Sequence, residues 1–316
     1  MSNTQAALIC GSVAFDTIMV FGDRFRNHIL PDKLHMLNVS FFVPQMRREF
    51  GGCAGNIAYN LKLLGDVGYP MATVGKDFGP YAEWMAKAGV PADYVRVLDS
   101  EYTAQAFITT DQEDNQITAF HPGAMFQSHL NQVLEAKARS GGNIGVGIVA
   151  PDGPQGMVQH AEQFKAAGIP FIFDPGQSLP AHDGEALKRF IGQATWVALN
   201  EYEWQLVQQK TGWTEKDILQ RVEALIVTQG SKGSVIYTRD GTIEIPCARA
   251  KAVVDPTGCG DAYRGGLLHG LLHKLDWKTT GRIASLLGAI KIESRGPQNH
   301  TFTRKEFDQR LAESFG

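Results

Sequence analysis

Asp255-Pro256-Thr257-Gly258-Cys259-Gly260-Asp261 gathers two carboxylates, a threonine and two glycines just ahead of an apolar, small-residue stretch, 262–272, that reads as a helix. Glycines let a backbone approach a ligand closely and adopt positive φ. A helix start points unpaired N–H groups outward, and its dipole favours an anion there. Asp261 falls where that anion would sit. A carboxylate beside an anion cradle is electrostatically costly unless it takes part in chemistry. The chemistry that uses both is phosphoryl transfer: backbone N–H groups stabilise charge on the moving group, and Asp261 accepts the proton of the attacking hydroxyl. The alternative is a glycine-rich turn with an aspartate cap.

Four further groups could serve the same chemistry. Gly51-Gly52-Cys53-Ala54-Gly55-Asn56 opens the first long helix, with Asn56 offering a donor and an acceptor on its first turn; a structural turn explains the string equally well. Asp16 follows the first strand and Ser12, at the strand end where α/β proteins bind ligands, and a carboxylate there can grip two sugar hydroxyls. A turn-forming aspartate is the alternative. Asn200-Glu201-Tyr202-Glu203 runs from a strand end into a helix. Its Asn200 and Glu203 oxygens could hold Mg²⁺, mostly through water, beside phosphates, or form a capping box. Thr228-Gln229-Gly230-Ser231-Lys232-Gly233 links two strands and suits nucleotide phosphates, though a plain hairpin turn would look the same.

Other signals fail. There is no G-x-x-x-x-G-K-[ST] string, so this is not a P-loop kinase. The glycines of 141–147 precede a strand instead of following one, so they are no dinucleotide fingerprint. His269 and His273 share a helix face, but without the glutamate of an H-E-x-x-H motif they read as a packed or surface pair, not a zinc site.

The elements that must position these groups alternate between strand-length apolar runs and helical patterns. Strands are expected at 7–10, 69–74, 144–149, 171–174, 196–200, 225–228 and 235–237. Helices are expected at 54–64, 78–88 and 155–167, with Gly65, Gly89 and Gly168 as stops, and mainly helix from Asp261 onward. That order predicts an α/β fold with a mostly parallel sheet covered on both faces. Two stretches, about 15–50 and 102–121, break the pattern. Strands at 103–110 and 116–120 read as a hairpin through 111–115, and the pieces together as a small β lid. The whole chain, 1–316, reads as one domain carrying that lid. Exposed lid edges make dimerisation through the lid an expectation.

The 316 residues are 43% hydrophobic and 20% charged, with a net charge of -3, so no nucleic-acid-binding surface is expected. No apolar run is long enough to span a bilayer, and the N-terminus has no signal-peptide pattern. Four scattered cysteines without CxxC spacing fit reduced thiols and a cytoplasmic location; Cys53 and Cys259, in glycine-rich loops, are candidates for reactivity.

Taken together and in this order, Gly51-Gly52…Asn56, Asn200…Glu203 and Asp255…Thr257-Gly258-Cys259-Gly260-Asp261 resemble the ribokinase-like (PfkB) family of carbohydrate and nucleoside kinases. Cys259 stands where the family usually has Ala, at a position that contributes a backbone N–H. Within the family, 30–35, 40–43, 120–125, 174–177 and 202–204 look most like bacterial adenosine kinases, although Ser178 stands where those carry a second Gln. The resemblance implies a three-layer α/β/α fold with a β lid, ATP and Mg²⁺ as cofactors, a small-molecule acceptor, and a purine-salvage transferase acting on the 5′-hydroxyl of adenosine. It implies Asp261 as base, with Gly258, Cys259 and Gly260 as anion hole. Asp16 and Asn56 would hold the ribose, with Gly51 and Gly52 beside them, and Ser12, Phe120 and Gln177 would surround the base. Asn200, Glu203, Thr228, Gly230 and Gly233, with Gly260, fall on the ATP and metal side. A sugar kinase of the same family, or another nucleoside kinase, is the alternative.

Overall fold

The structure, a computed structural model, describes residues 5–29, 35–36, 38–113 and 115–316. The 30–34 part of the adenosine-kinase-like string and Asp114 of the hairpin loop lie outside the described residues.

A nine-stranded sheet forms the centre. It contains β1 (Ala6–Cys10), β4 (Gly68–Gly75), β5 (Tyr94–Leu98), β8 (Ile144–Val149), β9 (Phe171–Phe173), β10 (Trp196–Asn200), β11 (Ala224–Thr228), β12 (Ser234–Thr238) and β13 (Gly241–Ile245). Its order is β13-β12-β11-β10-β9-β8-β1-β4-β5. Strands from β5 to β11 pair in parallel, and β12 and β13 close one edge antiparallel. Strand β1 is buried throughout, as a parallel strand covered on both faces must be. Its side chains alternate between two cores. Ala7 and Ile9 join Ile57, Tyr81 and Leu267 on one face; Leu8 and Cys10 join Phe164, Phe190 and Val207 on the other.

The first face is covered by α1 (Cys53–Leu63), α2 (Gly79–Ala88) and α8 (Cys259–Leu272), with α9 (Trp277–Lys291) packed on α8. The second is covered by α3 (Val133–Arg139), α4 (Pro154–Ala167), α5 (Gly184–Gln193), α6 (Glu201–Thr211) and α7 (Glu215–Leu219). The last helix, α10 (Arg304–Phe315), packs against α9 through Phe307. The expected stops hold: α2 and α4 end on Gly89 and Gly168 in the left-handed conformation. Strands β5 and β13 were not expected from the sequence. Both are edge strands with substantial exposure, so neither shows the continuous apolar run that marks the buried ones.

A second sheet has four strands in the order β3-β2-β6-β7, namely β3 (Gln45–Gly51), β2 (Ala14–Val20), β6 (Ala104–Thr110) and β7 (Gln116–His121). Strands β6 and β7 form the expected hairpin, while β2 and β6 are parallel. Strand β2 begins just after β1, and β3 runs directly into α1. The roots of the small sheet therefore lie at the same end of the large sheet as the glycine-rich start of α1.

Candidate active site

The start of α8 is a cradle. Gly258 is its N-cap, at φ 80°. A side chain there would be strained and would place a Cβ 2.7 Å from that of Pro297. The Cys259 N–H donates to the Pro256 carbonyl at 3.1 Å. Among the described residues, the N–H groups of Gly258, Gly260 and Asp261 meet no protein acceptor. The donors open to an anion are therefore a slightly different set from the expected Gly258, Cys259 and Gly260, because Cys259 already spends its N–H within the turn.

Two groups hold the cradle loop in place. The Asp255 carboxylate accepts the N–H of Thr257 at 2.9 Å and of Gly296 at 2.8 Å. Burial pushes Asp255 up, but these bonds outweigh it and keep it below its ordinary range. Lys291, 0% exposed, donates its Nζ to the Asp255 carbonyl at 2.7 Å and the Ser294 carbonyl at 3.2 Å. A fixed cation thus ties the loop before α8 to the loop after α9.

Asp261, in the first turn of α8, is half-buried. Its Oδ2 accepts the Asn56 Nδ2 at 2.8 Å. Asn56, 4% exposed, is itself fixed, since its Oδ1 accepts the Gln298 Nε2 at 2.9 Å. Gln298 is in turn held by the Trp84 Nε1, which donates to its Oε1 at 2.8 Å, and by the Tyr81 hydroxyl at 2.7 Å. Tyr81 then donates to the Gly51 carbonyl at 2.8 Å. The chain of bonds leaves the Asn56 amide one orientation, donor toward Asp261.

Asp16 sits on β2 opposite Glu49. Burial, then the negative charges of Asp261, Glu49 and Asp255, push it up to about 6. Asp261 is also pushed up to about 6, first by burial and then by Asp174; the Asn56 bond and the Arg264 charge offset only part of this. Two such carboxylates beside a glycine-lined opening mark a site able to exchange a proton near neutrality. Gly52 lets the start of α1 pack against the backbone of residues 12–14: at φ 83°, a Cβ there would lie 2.6 Å from both the Ser12 carbonyl oxygen and the Ala14 nitrogen. Beneath the site, Arg264 makes a bidentate pair with Asp174, at 3.0 Å and 2.9 Å, both side chains buried.

The residues expected on the nucleotide side lie elsewhere. Thr228, Gly230 and Gly233 line a cavity of about 450 Å³ that also reaches Cys259 and Gly260. Its other walls are mainly apolar, including Val253 and Ile292. Asn200 lies beside Thr228 across the β10–β11 pair. Asn200 and Glu203 do form a capping box: the Asn200 Oδ1 accepts the Glu203 N–H at 2.7 Å, and the Glu203 carboxylate accepts the Asn200 N–H and Nδ2, both at 2.8 Å. Each oxygen keeps a lone pair. Two such oxygens suit Mg²⁺, which retains most of its waters and needs few protein ligands.

The other expected site residues are scattered. The Ser12 Oγ accepts the Cys53 N–H at 3.1 Å, at the start of α1. Phe120, on β7, and Gln177, in the turn after β9, are exposed, and no described hydrogen bond ties either to Asp16, Asn56 or Asp261. Burial pushes both candidate thiols up, Cys259 to about 11 and Cys53 well above its ordinary value, so neither is an activated nucleophile. Sequence reading missed Gln298, Lys291 and Arg264. Arg264 carried a signal, a lone charge within the apolar helix that follows Asp261; Gln298 and Lys291 carried none.

The sequence pattern of the pfkB family carbohydrate kinases matches residues 16–304. A nucleoside kinase of Methanocaldococcus jannaschii is 34% identical over 277 residues, covering 87% of this chain and 89% of that protein. The Burkholderia thailandensis nucleoside kinase in complex with inosine superimposes with a TM-score of 0.89 at 55% identity, covering 98% of this chain and 99% of the other. The same enzyme in complex with ADP-inosine gives a TM-score of 0.86 at 58% identity over 98% and 96%.

Proposed function

This chain belongs to the pfkB family of carbohydrate kinases, phosphotransferases that act on a hydroxyl group, and from that premise we propose that it is an ATP-dependent nucleoside kinase. On this reading it converts a purine nucleoside and ATP to the nucleoside 5′-phosphate and ADP. Adenosine is one acceptor. Inosine is another, because the similar Burkholderia protein binds it. The Gln177 amide offers both a donor and an acceptor, and so can serve a 6-amino or a 6-oxo purine.

The observation that carries the proposal is the fixed Gln298–Asn56–Asp261 relay beside the open N–H groups of α8. Asp16 and Asn56 hold the ribose hydroxyls and bring the 5′-oxygen to Asp261. Asp261 takes the hydroxyl proton as that oxygen bonds to the γ-phosphorus and the bond to ADP breaks. The N–H groups of Gly258, Gly260 and Asp261 accept the charge that builds on the transferring group. The adenine of ATP lies between the apolar walls of the cavity, with its phosphates toward Thr228, Gly230 and Gly233. Asn200 and Glu203 would hold Mg²⁺, which would supply neutralisation of phosphate charge. The small sheet closes as a lid, excluding water and bringing Phe120 over the nucleobase.

The test is ADP release from ATP–Mg²⁺ with adenosine, inosine, guanosine, ribose and fructose supplied separately. Turnover with one or more nucleosides, and little with free sugars, is the expected result. A free sugar as the preferred acceptor would overturn the nucleoside assignment while leaving Asp261 and the cradle in place.

A further inference from the structure

The far end of α8 carries a second cluster, away from the cradle. His269 and His273 lie one turn apart, with ring centroids 4.5 Å apart. Asp66 comes from the turn between α1 and β4, where Gly65, at φ 92°, bends the chain back. One Asp66 oxygen meets the His269 Nδ1 at 2.5 Å and the other meets the His273 Nε2 at 2.8 Å. Among the described residues, this is the one group of three His, Cys, Asp or Glu donors whose ligand atoms all lie within 4.8 Å of one another.

We propose that Asp66, His269 and His273 form a zinc site. The donor set is two imidazole nitrogens and a carboxylate oxygen, the set that zinc takes with a water in the fourth position. Tetrahedral bonds of the usual length put neighbouring ligand atoms about 3.3 Å apart. The two hydrogen bonds use different Asp66 oxygens, so taking up the ion means turning one oxygen toward both nitrogens and bringing three ligand atoms that already lie within 4.8 Å of one another to that spacing. The nitrogens that now face the carboxylate are the ones that would bind the metal, so neither ring needs to flip. The ion would also sit at the carbonyl end of α8, where the helix dipole favours a cation. Asp66 and His269 are buried and His273 is half-exposed, so the site has fixed ligands and one open side. Imidazole with carboxylate selects zinc over Mg²⁺, which prefers oxygen alone. Bound there, the ion fastens the α1–β4 turn to the end of the helix whose other end carries Asp261.

The experiment is calorimetric titration of zinc sulfate into full-length protein stripped with EDTA, with neither nucleotide nor Mg²⁺ present, together with thermal melts. The wild type should bind one equivalent of zinc with a micromolar or tighter Kd, and its Tm should rise with zinc. His273→Ala changes a half-exposed residue outside the kinase site. It should keep kinase turnover measured without zinc, weaken zinc binding at least tenfold and abolish the rise in Tm. Absence of stoichiometric binding in the wild type, or binding in the folded variant within tenfold of wild type, overturns the proposal.

Discussion

On the proposed acceptor side of the site, Trp84, Gln298, Asn56 and Asp261 hand hydrogen bonds along a line, with a branch from Gln298 through Tyr81 to the Gly51 carbonyl. On the proposed donor side, a cavity with mainly apolar walls ends at backbone N–H groups that meet no protein acceptor among the described residues. On the proposed function, the first region is finished before any ligand arrives and the second is completed by one. Orientation of the attacking oxygen must be accurate to fractions of an ångström, and a side-chain network can set it in advance. The phosphoryl group arrives already charged and its charge is redistributed during transfer, so its partners are best left open and held rigid. Asp255 and Lys291 hold them so from behind.

If that contrast is right, changes on the acceptor side should alter turnover more than nucleotide binding. The largest effect is expected from Asp261→Ala, which removes the proposed base and should lower kcat about 10²- to 10⁴-fold. Steady-state rates across a wide enzyme range would detect it. Asp16→Ala comes next. Losing charge-assisted bonds to the acceptor, each about 1.5–3 kcal/mol, should raise the nucleoside KM roughly 10- to 100-fold while the KM for ATP stays near wild type. An unchanged nucleoside KM would remove Asp16 from the acceptor site. Gln298→Leu should release Asn56 and lower kcat by about tenfold, roughly the worth of one buried hydrogen bond. Equal loss in kcat and in nucleoside affinity would instead mark Gln298 as mere packing. On the donor side, Lys291→Met should act oppositely, raising the KM for ATP several-fold, by about 1 kcal/mol, with little change in nucleoside KM.

The pH profile sharpens the same contrast. Asp261 and Asp16 are both pushed up to about 6, and a protonated carboxylate cannot take the hydroxyl proton. Turnover should therefore fall as pH drops through about 6, with the two groups titrating as a coupled pair. A flat profile down to pH 5 would break the link between that burial and catalysis.

The sequence revealed most where residue type and local pattern decide structure. The buried strands, the glycine stops at Gly89 and Gly168, and the cradle before Asp261 all depend on neighbours within a few positions. The edge strands β5 and β13 were hidden because exposure dilutes their apolar pattern. The relay was hidden for a different reason: Gln298 lies 242 residues from Asn56, and nothing near it in the chain hints at that contact. The same distance problem hid Asp66 from the histidine pair it joins, 203 residues away in the case of His269. Gly258 illustrates the intermediate case. Its glycine was informative alone, yet the reason it must be glycine includes Pro297, on a remote loop.

Asp261→Asn tests the central claim most directly, because it keeps the shape and removes the proton acceptor. Its kcat and its nucleoside Kd should be measured side by side. The account predicts a kcat at least 100-fold below wild type with a Kd within about threefold of it. Near-full turnover, or a Kd that worsens in step with kcat, would contradict Asp261 as the base.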